Sequence, residues 1–231
     1  KSIPSVIRSI ETYDTTTVRA SVGMYLLSRY ISENHEEKVI FSGEGSDEIF
    51  GGYARYVIAY LEQSLKAAID GSYKNGSYVV TIESIIPNLG LLREYKPLIK
   101  QFWSKGLFEP MDSRYFNLID RSSDMREEID WSSLNIKKVF NDFSLIFNNP
   151  SNVSKEAYFD KMTHFDFKCL LPALLQVEDR MSMAHGLELR LPFLTNEIIA
   201  LAGRIDTKLL MSWSGKGKQV LRSSLRQLGG P

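Results

Sequence analysis

Lys38-Val39-Ile40-Phe41-Ser42-Gly43-Glu44-Gly45-Ser46-Asp47-Glu48-Ile49-Phe50-Gly51-Gly52-Tyr53 decides how this chain is read. A short apolar run, Val39 to Phe41, lies between charge and Ser-Gly, the pattern of a buried strand. Gly43 and Gly45 allow a tight turn, and Ser46 with Asp47 can cap a helix running on through Ile49, Phe50 and Tyr53. A strand that passes through small residues into a helix start presents backbone N–H groups to an anion. The same turn carries Glu44, Asp47 and Glu48. Carboxylates beside an anion make sense when a divalent cation sits between them, so the stretch reads as a nucleotide site. It is not a Walker loop, because no Lys follows the glycines. Nor is it the dinucleotide fingerprint, because Glu48 stands where the third glycine belongs. On spacing alone, a plain strand-turn-helix remains open beside the phosphate site.

Outward from this turn, Val18, Val22, Tyr25, Leu26, Arg29 and Tyr30 fall at helical spacing, with Asp14 or Thr15 as N-cap. A helix feeding a strand that feeds a helix is the unit of an α/β layer fold, in which ligands gather beyond the carboxyl ends of strands. Tyr53 to Ala68 predicts a long helix ending near Asp70-Gly71, and 71–78 is turn-rich. Tyr78 to Ile86 fits a strand or a helix start. Leu91 to Phe102 predicts a helix interrupted at Pro97. Asn148 to Asn152 reads as a loop, and Tyr115, Phe116, Trp131, Phe140, Phe143 and Phe147 read as core. Helical spacing returns from Lys155 through Phe167 and continues from Cys169 to Met183, with Pro172 in a first turn. Its polar end delivers Glu178, Asp179 and Arg180. Gly186 breaks the run, Leu187 to Phe193 alternates, Asn196 to Ala202 is helical, and Gln219 to Gln227 is a last helix.

The chain of 231 residues holds one large domain or two small ones. Lys plus Arg and Asp plus Glu number 28 each, so no net field draws in nucleic acid or an anionic membrane. No apolar run reaches the length of a membrane span and no signal peptide opens the sequence. Cys169 is the single cysteine, expected as a small buried hydrophobe in a reducing, cytoplasmic setting. Asn75-Gly76-Ser77 and Asn152-Val153-Ser154 match glycosylation sequons, a pattern that recurs by chance.

The string Ser42-Gly43-Glu44-Gly45-Ser46-Asp47-Glu48 with Gly51-Gly52-Tyr53 resembles the signature loop of the glutamine-using asparagine synthases. Two flanking segments agree, in the same order. Upstream stands Glu11-Thr12-Tyr13-Asp14 with Thr17 to Ser21 and Met24 to Leu26; downstream stands Asp179 to Leu194. The resemblance implies an α/β fold of ATP-pyrophosphatase (adenine nucleotide alpha hydrolase) type with a parallel sheet, here incomplete and mostly helical. It implies that residues 1–231 form the C-terminal part of the synthetase domain. Such enzymes attach AMP to the side-chain carboxylate of aspartate, release pyrophosphate, and let ammonia from a glutaminase domain displace AMP.

By motif position, Ser42, Gly43 and Gly45 would contact the nucleotide, and Glu44 would act as general base on the nitrogen nucleophile. Asp47 would bind Mg²⁺ beside the pyrophosphate while also capping a helix. Glu48 would serve the nucleotide or substrate side, or act as first-turn charge. Lys218, four residues before Arg222, resembles the family lysine that contacts phosphate; a solvated lysine is the bland alternative. Asp179, Arg180, Glu188 and Arg190 either line the aspartate pocket or form an ion-pair network holding the loop, and His185 reads as packing. ATP and Mg²⁺ are thus the implied cofactors. Aspartate and glutamine-derived ammonia are the implied reactants, an N-terminal glutaminase domain the implied partner, and a homodimer the candidate assembly.

The sequence departs from the family pattern in three ways. It has no N-terminal cysteine with a glutaminase domain behind it, no Ser-Gly-Gly-x-Asp-Ser loop, and no basic, glycine-containing stretch beyond the last helix. The expectation is a piece of a longer synthetase that is inactive by itself. The alternatives are a relative that amidates or cyclises another carboxylic acid, of β-lactam synthetase or sugar-acid amidotransferase type, and a non-catalytic nucleotide-binding module.

Overall fold

The computed structural model describes residues 1–69, 96–104, 106–120, 122, 127–151, 158–210 and 217–230. The expectations for 70–95, the sequons, Lys155 to Ala157 and the tail from Ser214 to Lys216 fall outside the described residues. The described chain is mostly helical, with one two-stranded parallel sheet, and divides into two compact units.

The first unit comprises residues 1–49 and 166–204. It holds α1 (Ile3–Ile10), α2 (Thr15–Asn34), β1 (Val39–Phe41), a π-helical turn (Asp166–Leu170), α9 (Leu171–Met183), β2 (Glu188–Arg190) and α10 (Asn196–Ala202). Asp14 caps α2 as its sequence position suggests, accepting the Thr17 N–H at 2.7 Å. Val6 and Ile10 of α1 meet Val177 and Met181 of α9, with Val18, Val22 and Tyr25 of α2 against them. The buried stripe of α2 differs from the one its apolar spacing suggests. Ser21 and Ser28 are fully buried, whereas Leu26 and Tyr30 are exposed. Serines small enough to let a neighbouring helix close in carry this face, and Ser21 satisfies its hydroxyl on the Thr17 carbonyl at 2.8 Å.

β1 pairs with β2 in parallel, with Ile40 opposite Leu189. The expectation of a buried strand at Val39 to Phe41 is half right. The strand is there, but Val39 is 45% and Phe41 78% exposed. A parallel sheet is buried when layers cover both its faces; among the described residues, the cover over these two side chains is incomplete.

The second unit comprises residues 50–165 and 205–231. Its described helices are α4 (Ala54–Ile69), α5 (Lys96–Trp103), α6 (Met111–Ile119), α7 (Ile136–Phe147), α8 (Tyr158–Phe165), α11 (Thr207–Leu210) and α12 (Gln219–Gln227). The aromatic residues form the expected core. Tyr115 stacks on Phe147 with centroids 5.5 Å apart, and Phe143 meets Phe165 edge-on at 4.7 Å. Trp131 is half-buried on a short 3₁₀ turn. Inside the same unit Arg114 and Glu62 form a buried ion pair, with Arg114 Nε donating to Glu62 Oε1 at 2.7 Å. Glu62 also accepts the Phe108 N–H at 3.1 Å, and Arg114 lies over the Phe102 ring at 3.9 Å.

Cys169 departs from the expectation of burial: it is exposed on the π-helical turn. The expectation rested on cysteine's usual behaviour as a small hydrophobe, and a π-helical turn departs from the α-helical register around it.

Candidate functional site

The turn from Ser42 to Phe50 is built on the carboxyl end of β1. The Ser42 N–H donates to the Arg190 carbonyl at 2.9 Å, extending the β1–β2 ladder by one residue. The chain then turns at Gly43 and Gly45, and α3 (Ser46–Phe50) begins. Gly45 has a φ of +84°, and a Cβ there would run into the side chain of Leu194. The turn therefore needs glycine for its backbone and for the leucine that braces it.

The cap differs from its reading in sequence. The Gly45 carbonyl accepts the Ile49 N–H at 3.1 Å, which makes Ser46 the first helical residue. Its hydroxyl turns back and donates to the Gly43 carbonyl at 2.7 Å. Nor does the helix continue to Tyr53. Gly51, at a φ of +70°, stops α3 after five residues, and α4 starts afresh at Ala54. So short a helix adds little dipole of its own to an anion site.

The carboxylates of the turn are not equivalent. Glu44 and Asp47 are half-buried, while Glu48 is 1% exposed. Among the described residues, no three His, Cys, Asp or Glu side chains form a cluster that could hold a metal. Mg²⁺ in nucleotide sites commonly takes one or two protein carboxylates and completes its shell with water and phosphate. A single half-exposed carboxylate such as Asp47 fits that mode, and no all-protein cage is called for.

A residue the sequence reading left without a role also reaches this turn. Glu178, from α9, is held above the ordinary carboxylate range by burial, and the Ser42 hydroxyl acts on it as a hydrogen-bond donor in the opposite sense. Its Oε2 is buried and has no hydrogen-bond partner among the described residues. Ser42 Oγ in turn accepts the Glu44 N–H at 3.3 Å. A chain of polar contacts thus runs from Glu178 through Ser42 to the backbone of Glu44. Helical spacing could not reveal it, because it depends on how α9 returns to the strand end.

Of the residues read as pocket or ion pairs, three make ion pairs. Arg180 pairs with Glu11 at 3.2 Å, and Arg190 with Glu188, two residues away on β2, at 2.6 Å. Asp179 is exposed. His185 packs edge-on against Tyr25 at 4.5 Å, and burial, with Arg29 adding to it, lowers its pKa.

Lys218 belongs to the second unit and is described there. It is the N-cap of α12, with a φ of +58°, and its carbonyl accepts the Arg222 N–H at 3.1 Å. The preceding Gly217 lies against the backbone of Gly51 and Gly52.

Set against known proteins, the chain matches the sequence model of the family described as asparagine synthase over residues 1–229. The glutamine-hydrolysing asparagine synthetase of Rattus norvegicus is 66% identical over 53 residues, 23% of this chain and 9% of that protein. The Homo sapiens protein of the same name is 64% identical over 53 residues, with the same coverage. The Bos taurus protein is 67% identical over 51 residues, 22% of this chain and 9% of its own. The chain therefore spans about a tenth of the length of the curated relatives it matches.

Proposed function

Because the chain belongs to the asparagine synthase family, we propose that it is part of an ATP-dependent ligase that converts aspartate to asparagine. In this reading its fold is of the ATP-pyrophosphatase type and its setting is the cytoplasm. The aspartate side-chain carboxylate attacks the α-phosphorus of ATP; a P–O bond forms and pyrophosphate leaves. Ammonia then attacks the acyl carbon, and AMP leaves with the carboxylate oxygen that joined it to the acyl group. The ammonia comes from glutamine at an N-terminal glutaminase domain of the full-length protein.

The residues of the turn suit these steps. The exposed Gly43 lets the backbone approach the nucleotide closely. Ser42 uses its N–H on Arg190 and its hydroxyl on Glu178 and the Glu44 N–H, so its small size is what it offers a ligand. Glu44, held through Ser42, takes the proton that the nitrogen loses as the amide forms. Asp47 would hold Mg²⁺, which offsets the charge of the triphosphate. Lys218 would add a positive charge on the phosphate side. Glu48, buried at the first turn of α3, supports the turn. Gly45 gives the turn its shape, with Leu194 occupying the space beside it.

The observation that carries this reading is the acidic turn standing at the carboxyl end of a parallel strand, where α/β sheets bind ligands. Its test is pyrophosphate release from ATP and Mg²⁺ by the intact protein. Release should require aspartate and fall at least tenfold in Asp47→Ala. Release stimulated equally by an unrelated carboxylic acid, or unchanged in Asp47→Ala, would remove it.

A further inference from the structure

Gly217 stands immediately before the α12 cap, and its neighbours are backbone atoms. A Cβ at this position would lie 2.8 Å from the Gly51 carbonyl oxygen, 2.9 Å from Gly52 Cα and 3.1 Å from the Gly52 oxygen. The first two distances are shorter than a methyl group tolerates and the third is tight, and a backbone cannot swing aside as the end of a side chain can. Three glycines, two of them following α3 in the chain and one preceding α12, are thus pressed together main chain to main chain. Gly51 is in the left-handed region, at a φ of +70°. The contact passes directly into Lys218, itself left-handed at +58°, and from there into the first turn of the helix. The Arg222 guanidinium closes the same corner by donating from Nε to the Gly217 carbonyl at 3.1 Å.

A lysine on a flexible loop would lose much rotational and backbone freedom each time it met a phosphate. A lysine whose backbone is pinned on one side by a glycine contact and on the other by a helix has already lost part of it. We propose that Gly217, seated on Gly51 and Gly52 and clamped by Arg222, is a positioning residue whose task is to fix Lys218 for the triphosphate. This rests on the phosphate role of Lys218 proposed above. The sequence shows glycines on both sides of a lysine; it does not show that one of them is required by a segment some 165 residues away.

The experiment is a mutant cycle on the intact protein, read by calorimetric Kd for ATP with Mg²⁺, which needs no turnover. Its members are the parent, Gly217→Ala, Lys218→Ala and the double variant. Each single change should weaken binding roughly tenfold to a hundredfold, the range of one hydrogen bond to a charged group. The double variant should be no weaker than Lys218→Ala, because a residue acting through the lysine has nothing left to act on once it is gone. Arg222→Ala tests the same link without placing a methyl group against backbone, and serves if Gly217→Ala does not fold. It should give a smaller loss that also vanishes in the Lys218→Ala background.

A folded Gly217→Ala or an Arg222→Ala that binds like the parent overturns the proposal. So does a full loss from either that persists when Lys218 is absent, which would mark a merely structural glycine corner. Unchanged binding in Lys218→Ala overturns it as well, while aspartate-dependent pyrophosphate release in the parent would leave the synthetase reading standing.

Discussion

Two carboxylates, one in each unit, have been taken out of water in opposite ways. Glu62 is 2% exposed and meets Arg114 on one side and the Phe108 N–H on the other, so its charge is answered wherever it turns. Glu178 is half-buried, with Ser42 beside it and its second oxygen without a partner among the described residues. A buried ion pair with all its hydrogen bonds made belongs to the folded frame; removing one partner strands the other. A half-answered carboxylate makes a poor frame and is tolerated where the chain has other work to do. The contrast lies in how fully each charge is answered, which burial alone does not show.

The contrast can be attacked most forcefully at Arg114. Arg114→Leu leaves Glu62 buried without its cation and should cost about 3–5 kcal/mol in chemical unfolding. A loss below 1 kcal/mol would show the pair to be dispensable.

In the first unit, shape does what charge does in the second. Gly45→Ala forces a side chain into a left-handed backbone position and against Leu194, at a cost on the order of 1–3 kcal/mol. Pairing it with Leu194→Ala should recover part of that loss, and no recovery would refute the brace. Asp14→Ala removes the α2 cap, worth about 1 kcal/mol. The hydrogen bond from the Thr17 hydroxyl, with the Thr17 N–H, lowers the Asp14 pKa, so its contribution is present above the ordinary carboxylate range and lost as pH falls through the lowered value.

Glu178→Gln should change least and in the other direction, leaving stability at neutral pH unchanged or slightly raised. Burial lifts its folded pKa, so the native state binds the extra proton. Stability should rise as pH falls from above that value toward the unfolded carboxylate range, and this gain should be missing in Glu178→Gln. A parent and variant with superimposable pH–stability curves would show that Glu178 is fully solvated in practice.

Much of this arrangement could be read from the sequence, for stated reasons. Asn196 to Ala202 and Gln219 to Gln227 stand where spacing put them, because Thr195 caps one and Gly-Lys opens the other. The strand Val39 to Phe41 and the turn after it follow from an apolar triplet meeting Ser-Gly. Other features depend on distant contacts and leave no local trace. The buried Ser21 and Ser28 look polar until another helix lies on them, and Glu178 is an ordinary helix carboxylate until its helix returns to Ser42. The packing of Leu194 beside Gly45 leaves no local mark, and Cys169 reads as core by residue type although it stands exposed on the π-helical turn.

The central claim is that a nucleotide energises a carboxyl group at this turn, and isotope transfer tests it most directly. Aspartate carrying ¹⁸O in its side-chain carboxylate is supplied with ATP, Mg²⁺ and ammonia to the intact protein, and the AMP formed is weighed by mass spectrometry. If the carboxylate attacks phosphorus and AMP departs with the shared oxygen, each AMP acquires one ¹⁸O for every asparagine made. AMP that stays unlabelled while asparagine accumulates, or ADP in its place, contradicts the account.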